Sequence, residues 1–206
     1  MSAATRPAAW TVLLLGGSAG IGKTMLAERV ARRLSLPWAQ VDDFHCSLHA
    51  ASRPADQPAL HYFDDDAVWE QPPEVLCDRF VAAASVVSAA LEGVVAHHIS
   101  TASPIVLEGI WLLPALAAQM TYAGVPNGGQ IRSVFLLELD EQAVMKSLPD
   151  NRWFDRKGAT LKRTRARTNL LYSQWLAQEA QRHEVPSLPV QPWASLADRI
   201  LTTVNS

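Results

Sequence analysis

Gly17-Ser18-Ala19-Gly20-Ile21-Gly22-Lys23-Thr24 is a complete G-x-x-x-x-G-K-[ST] phosphate-binding loop, and it follows directly on the apolar run Trp10 to Leu15. The motif needs a buried strand to aim it and a helix to receive it, so that backbone N–H groups and the helix N-terminus converge on a polyphosphate. Val12-Leu13-Leu14-Leu15 has the composition of a parallel strand covered on both faces. Thr24 to Leu34 repeats apolar residues at helical spacing. Glycines at 17, 20 and 22 allow dihedrals and a closeness to phosphate that a Cβ would forbid. All eight residues of the loop are therefore candidate nucleotide contacts. Lys23 is placed to bridge β- and γ-phosphates, and the Thr24 hydroxyl to join a magnesium shell.

Outward from the loop, strands and helices alternate. Leu36 to Val41 reads as a second strand entered through Pro37 and ending at Asp42-Asp43. His45 to Phe63, with Pro54 and Pro58 and no clear period, reads as a long loop. A helix starts at Pro72-Pro73, with Glu74 near its positive end, and runs through Val95. Its centre, Phe80 to Ala96, reads as a buried helix, interrupted by Ser85, Ser88, Glu92 and Gly93 and short of a bilayer span. Pro104 to Leu107 is a strand ending in Glu108-Gly109, Asn127-Gly128-Gly129 a surface turn, Ile131 to Leu139 a strand, and Val190 a closing strand. With right-handed crossovers this alternation predicts a three-layer α/β/α sandwich of the P-loop type. It has a mainly parallel five-stranded sheet and a helical lid near 150–165, in one domain spanning 1–206.

Composition narrows the function classes. The chain of 206 residues is 49% hydrophobic and 18% charged, a globular balance with a substantial core. A net charge of −2 offers no global attraction for nucleic acid or anionic membrane, so anion recognition must be local and the ligand small. Cys46 and Cys77 form no disulfide or zinc pattern, which points to a reducing compartment. Residues 1–9 lack the pattern of a secretory signal. The expectation is a cytoplasmic protein, monomeric or homodimeric, with no nucleic-acid or membrane partner.

Phosphoryl transfer from ATP requires charge neutralisation, a magnesium ion, and a group that accepts the proton of the attacking hydroxyl. Glu108, at a buried strand end, is the candidate to serve magnesium together with Thr24. Asp42 and Asp43 offer a general base and a substrate or metal contact; as strand neighbours they would face opposite ways, leaving open which is which. The basic stretch Asn151 to Gly158 has Arg152 and Arg156 four apart, on one helix face, as candidates to stabilise the transferring phosphoryl group from a mobile lid. Lys162 to Arg167 reads as surface. His45 and Trp111 are candidate acceptor contacts, and His97-His98 a helix-end pair.

Three motifs in order resemble the uridine kinase and phosphoribulokinase-like branch of P-loop small-molecule kinases, which includes nicotinamide riboside and pantothenate kinases. Gly17 to Thr24 resembles that family's phosphate loop. Asp42-Asp43-Phe44-His45 is similar to its D-[SD]-[FY]-[FYH] segment, and the resemblance makes Asp42 the hydroxyl-activating base. His61-Tyr62-Phe63-Asp64 resembles its N-[FY]-D-H-P stretch with Asp65-Asp66 in place of His-Pro, which implies that Asp64 holds the acceptor's hydroxyls. Val106-Leu107-Glu108-Gly109-Ile110 is similar to its Glu-Gly-[IL] strand end, whose glutamate serves the metal. Arg152 to Gly158 resembles its R-x-x-R-D-x-x-x-R-G lid with altered spacing. The implied activity is ATP- and magnesium-dependent phosphorylation of a hydroxyl on a nucleoside, vitamin or sugar-like acceptor. Two alternatives stay open: an antibiotic- or 2-phosphoglycerate-type phosphotransferase on the same fold, and a nucleotide-dependent switch or NTPase.

Overall fold

The computed structural model of the protein describes residues 10–148 and 152–205, over 152–159 by backbone alone. Five parallel strands form one sheet: β1 (Val12–Gly17), β2 (Trp38–Gln40), β3 (Ile105–Gly109), β6 (Ile131–Leu137) and β7 (Ser187–Pro189), in the order β2-β3-β1-β6-β7. Two short strands, β4 (Thr121–Tyr122) and β5 (Val125–Pro126), make a separate hairpin that the sequence pattern did not announce. The long helices are α1 (Lys23–Leu34), α2 (Val41–Ala51), α4 (Pro73–Ser100), α7 (Arg152–Arg182) and α8 (Leu196–Asn205). Short ones are α3 (Pro58–His61), α5 (Pro114–Ala117) and α6 (Glu141–Ser147).

The period-2 rule of a covered strand organises both cores. Val12 and Leu14 of β1, Ile105 and Leu107 of β3, and Ile131 and Phe135 of β6 point to one face, where Ala84, Val87 and Leu91 of α4 and Tyr172 and Leu176 of α7 cover them. Leu13 and Leu15, Val106, Val134 and Leu136 point to the other, against Leu26, Ala27 and Val30 of α1 and Ile200 and Val204 of α8. The four apolar residues Val12 to Leu15 are fully buried, and each such side chain contributes about 2 kcal/mol of transfer free energy. A uniformly apolar run is what a central strand needs when helices cover both its faces.

Several expectations are corrected. Asp42 and Asp43 do not end a strand: β2 stops at Gln40 and both lie in the first turn of α2. The segment from His45 to Phe63 is no long loop, since α2 runs to Ala51 and α3 and a 3-10 turn (Tyr62–Asp64) follow. Helix α4 extends past Val95 to Ser100, and at 28 residues it is long and apolar enough to cross a bilayer. Its Leu76, Ala83, Val87, Leu91 and Val95 are nonetheless buried in the core beneath the sheet, so the reading of a buried helix rests on packing and not on length. The closing strand lies just before Val190, and pairs Ser187 to Pro189 with Phe135 to Leu137. His97 and His98 occupy the last turn of α4, and Asn127 to Gln130 turns back through a Gln130 N–H to Asn127 carbonyl bond of 2.8 Å.

The sequence placed a lid over 150–165. Backbone from Arg152 onward is continuous helix, Gly158 included. Asn151 and the side chains of Arg152 and Arg156 lie outside the described residues. In Lys162 to Arg167, Arg163 and Arg167 are exposed, but Arg165 is half-buried and Ala166 fully so.

Candidate functional site

The C-terminal ends of β1, β2 and β3 converge on the loop. Gly17, at φ 145°, leaves β1 where a Cβ would stand 2.6 Å from the Leu136 carbonyl oxygen. Gly22 sits at φ 80° as the N-cap of α1 and offers no side chain to its N–H groups, which remain available to an anion. Lys23 Nζ donates to the Ser18 carbonyl at 2.7 Å, folded back over its own loop. The lysine is only 8% exposed, and burial brings its pKa down to about 8, against the opposing pull of Glu108 and Asp42. Beneath the loop, Ser173 of α7 donates to Ser18 Oγ at 2.8 Å, a buried tie between residues 155 apart that no sequence signal marked.

Thr24 Oγ1 donates to Glu108 Oε1 at 2.8 Å. Glu108 is buried, and burial pushes its pKa above the usual carboxylate range, opposed by the Thr24 hydrogen bond and the Lys23 charge. Its register opposite Leu15 of β1 and Gln40 of β2 sets it between the loop and the start of α2. Gly109 follows for a steric reason: a Cβ there would lie 2.8 Å from Val41 Cβ. That close approach brings α2 to the loop. Asp42, in the first turn of α2, acts electrostatically on Lys23, Glu108 and His45. Asp43 is not among the charges acting on those three groups.

Along α2, one turn beyond Asp42, His45 stacks on Trp111 with ring centroids 4.3 Å apart and planes 13° from parallel. The imidazole covers a face of Trp111, and desolvation lowers its pKa. A further turn on, His49 Nε2 lies 2.8 Å from Asp64 Oδ1, while His61 Nδ1 lies 2.9 Å from Asp64 Oδ2. The bonds from His61 and then His49 hold the Asp64 carboxyl below the usual range. Neither histidine was singled out from sequence; the i, i+4 spacing of His45 and His49 is the signal, visible once the segment is taken as helix. A cleft of about 280 Å³ opens between residues 66–70 and α7, lined by Asp66, Trp69, Glu70, Thr160, Leu161 and Thr164. The Arg165 guanidinium lies 4.7 Å over the Trp69 ring.

The candidate residues of the loop, Glu108, Asp42 and His45 thus share one end of the sheet, with Trp111 behind His45 and Asp64, on its 3-10 turn, against His49 in the last turn of α2. Asp43 stands beside Asp42 on the same turn of α2.

No protein-family model matches the chain, and no curated protein matches its sequence. Solved structures do resemble it. A sugar kinase from Janibacter sp. HTCC2649 superposes with a TM-score of 0.54 at 17% identity, over 95% of this chain and 94% of that one. A gluconokinase from Sinorhizobium meliloti 1021 gives 0.49 at 17% over 97% and 93%. The shikimate kinase from Acinetobacter baumannii gives 0.49 at 15% over 95% and 93%. At these identities the likeness speaks for the fold, and the first of the three carries it: an α/β architecture shared with that sugar kinase along nearly the whole chain.

Proposed function

We propose that this protein is an ATP-dependent kinase that moves the γ-phosphoryl group to a hydroxyl of a small molecule, nucleoside, vitamin or sugar-like. The observation that carries the reading is the pairing of two separate carboxylates with one phosphate loop. Glu108 is bonded to Thr24, and Asp42 acts on the same Lys23 from a different element. A switch or NTPase needs one strand-end acid for its ion; a second, aimed from α2, serves an acceptor.

The donor set fits nucleotide with magnesium. The uncapped α1 N-terminus and the Lys23 ammonium suit the phosphates, and the buried Glu108 with the Thr24 hydroxyl suits a hard cation and its waters. Magnesium, when bound there, supplies charge neutralisation at the phosphates. The Lys23 ammonium leaves the Ser18 carbonyl for the phosphates. Asp42 accepts the acceptor hydroxyl's proton as that oxygen forms its bond to the γ-phosphorus and the β–γ bridging bond breaks, releasing ADP. Asp64 and His45 hold the acceptor, with Asp43 and Trp111 as further contacts. Arg152 and Arg156, at the N-terminal end of α7, steady the phosphoryl charge. Free thiols at Cys46 and Cys77 fit a cytoplasmic setting.

The test is ADP release across a panel of hydroxyl acceptors, including gluconate, shikimate, nucleosides and pantothenate. Acceptor-dependent turnover that vanishes in Asp42→Asn is the expected result. ATP hydrolysis indifferent to every acceptor, and to Asp42→Asn, would assign the loop to a switch or NTPase instead. The uridine kinase-like reading is favoured over the other small-molecule kinases if nucleosides alone support turnover.

A further inference from the structure

We infer that His49, His61 and Asp64 form a binding site for a borderline divalent metal ion of the zinc class. Their ligand atoms all lie within 4.8 Å of one another, contributed by the last turn of α2, the end of α3 and the 3-10 turn that follows.

One carboxylate gathers two imidazole nitrogens: His61 Nδ1 lies 2.9 Å from Asp64 Oδ2 and His49 Nε2 lies 2.8 Å from Asp64 Oδ1, with the two rings 4.1 Å apart. Ser52 Oγ lies 3.1 Å from His61 Nε2 and also donates to the His49 carbonyl at 3.4 Å, so its oxygen accepts from Nε2–H when Nδ1 takes a metal ion. The donor set, two imidazole nitrogens and one carboxylate oxygen, is that of zinc, cobalt and nickel sites with an open fourth position, and is unlike the all-oxygen shells of magnesium and calcium.

Ser52 then has a defined part. It holds the remote nitrogen of a ligating histidine and fixes the tautomer, as outer-shell partners of metal sites do. The Asp64 side chain is 51% exposed, so the open position reaches solvent, while the His61 side chain is 8% exposed and anchored. The site lies on the α2 face that carries His45 and Asp42, on the acceptor side of the phosphate loop, distinct from the Thr24 and Glu108 oxygens. A bound ion would meet an acceptor oxygen there in place of the bare Asp64 carboxylate. The metal site itself does not depend on the kinase reading.

The experiment uses tag-free, chelator-dialysed full-length protein without nucleotide or acceptor. Cobalt(II) is titrated in, followed by its visible ligand-field absorption, then displaced with zinc. One equivalent with the intense spectrum of a four- or five-coordinate ion is expected. His49→Gln, at a partly exposed side chain that leaves the fold intact, should weaken binding by about tenfold or more, and Ser52→Ala by about tenfold. His97→Ala with His98→Ala should leave binding unchanged. Cobalt that keeps the pale octahedral spectrum of the buffer, or full-affinity binding in both His49→Gln and Asp64→Asn, would overturn the site. If no metal binds while Asp64→Asn still raises the acceptor KM, the metal proposal fails and the kinase reading stands; metal binding without any acceptor-dependent turnover is the converse.

Discussion

The Thr24 hydroxyl and the Glu108 carboxylate meet at 2.8 Å although 84 residues separate them, joining the first turn of α1 to the end of β3. The contact makes the two behave as one unit. Thr24→Ala and Glu108→Gln should each lower turnover by about two orders of magnitude or more, and the double variant should cost little beyond the worse single one. A thermodynamic cycle on kcat/KM at fixed magnesium measures this; strictly additive losses would mean that the two oxygens act on different things.

Lys23 supplies a prediction in which activity and stability move oppositely. Burial lowers its pKa from 10.5 to about 8. Between those values the unfolded chain binds more protons than the native one, so the stability of the nucleotide-free protein rises with pH through that window. Below about pH 8 the full penalty stands, on the order of 3 kcal/mol. Lys23→Met should therefore raise the melting temperature of the nucleotide-free protein at pH 7 while abolishing turnover. Phosphate charge reverses the shift, so ATP binding near pH 8.5 should take up a proton. Calorimetry in buffers of different ionisation enthalpy reads that uptake, which Lys23→Met should remove.

Gly22 is held by two separate constraints. Its φ of 80° is a conformation that L side chains adopt at a cost of about 1–3 kcal/mol, and a Cβ there would stand 2.6 Å from the Trp193 ring. Gly22→Ala should weaken nucleotide binding by more than about tenfold and lower the melting temperature. Trp193→Ala added to it should restore part of the stability, since it relieves the ring contact and leaves the dihedral. Full rescue by Trp193→Ala would show the contact to be the whole effect.

The strand, loop and helix around Gly17 to Thr24 were legible because each level agreed: an apolar run, glycines at positive φ, then helical period. Glu108-Gly109 was legible for the same reason, the glycine being fixed by Val41 packing. What failed was the stretch from Asp42 to Phe63. Val41, Phe44 and Leu48 do carry helical spacing, yet Pro54 and Pro58 dominated the reading, and a three-residue β2 left no strand period to end. The lid region was expected to be helical, and from Arg152 it is; what the sequence left unread is how far that helix continues, to Arg182. Residues 152–159 are rich in charge with a mid-helix glycine, and their helix is supported farther along by Thr168, Tyr172, Ser173 and Leu176 packed in the core, a tertiary effect that local propensity does not register. The Ser18 to Ser173 bond joins residues 155 apart, which no spacing rule encodes, and the histidine grip on Asp64 becomes legible only once the segment after Asp42 is taken as helix.

The change from strand end to helix start gives the two neighbouring aspartates different surroundings. On α2 their side chains diverge by about 100° rather than facing opposite sides of a sheet, and it is Asp42 whose charge acts on Lys23, Glu108 and His45. Asp42→Asn should keep ATP and acceptor binding and cut turnover by about two or more orders of magnitude, the scale of a lost general base. Asp43→Asn should stay within a few-fold of wild type, because its backbone carbonyl, which accepts from Ser47 Oγ at 2.8 Å, is untouched and its side chain, a further acceptor contact, takes no part in the proton transfer. Asp64→Asn should mainly raise the acceptor's KM. Steady-state kinetics on the three variants, each with binding measured separately, distinguish these roles. A dead Asp43→Asn beside an active Asp42→Asn would turn the acceptor pocket about 100° around the start of α2, away from His45 and Trp111.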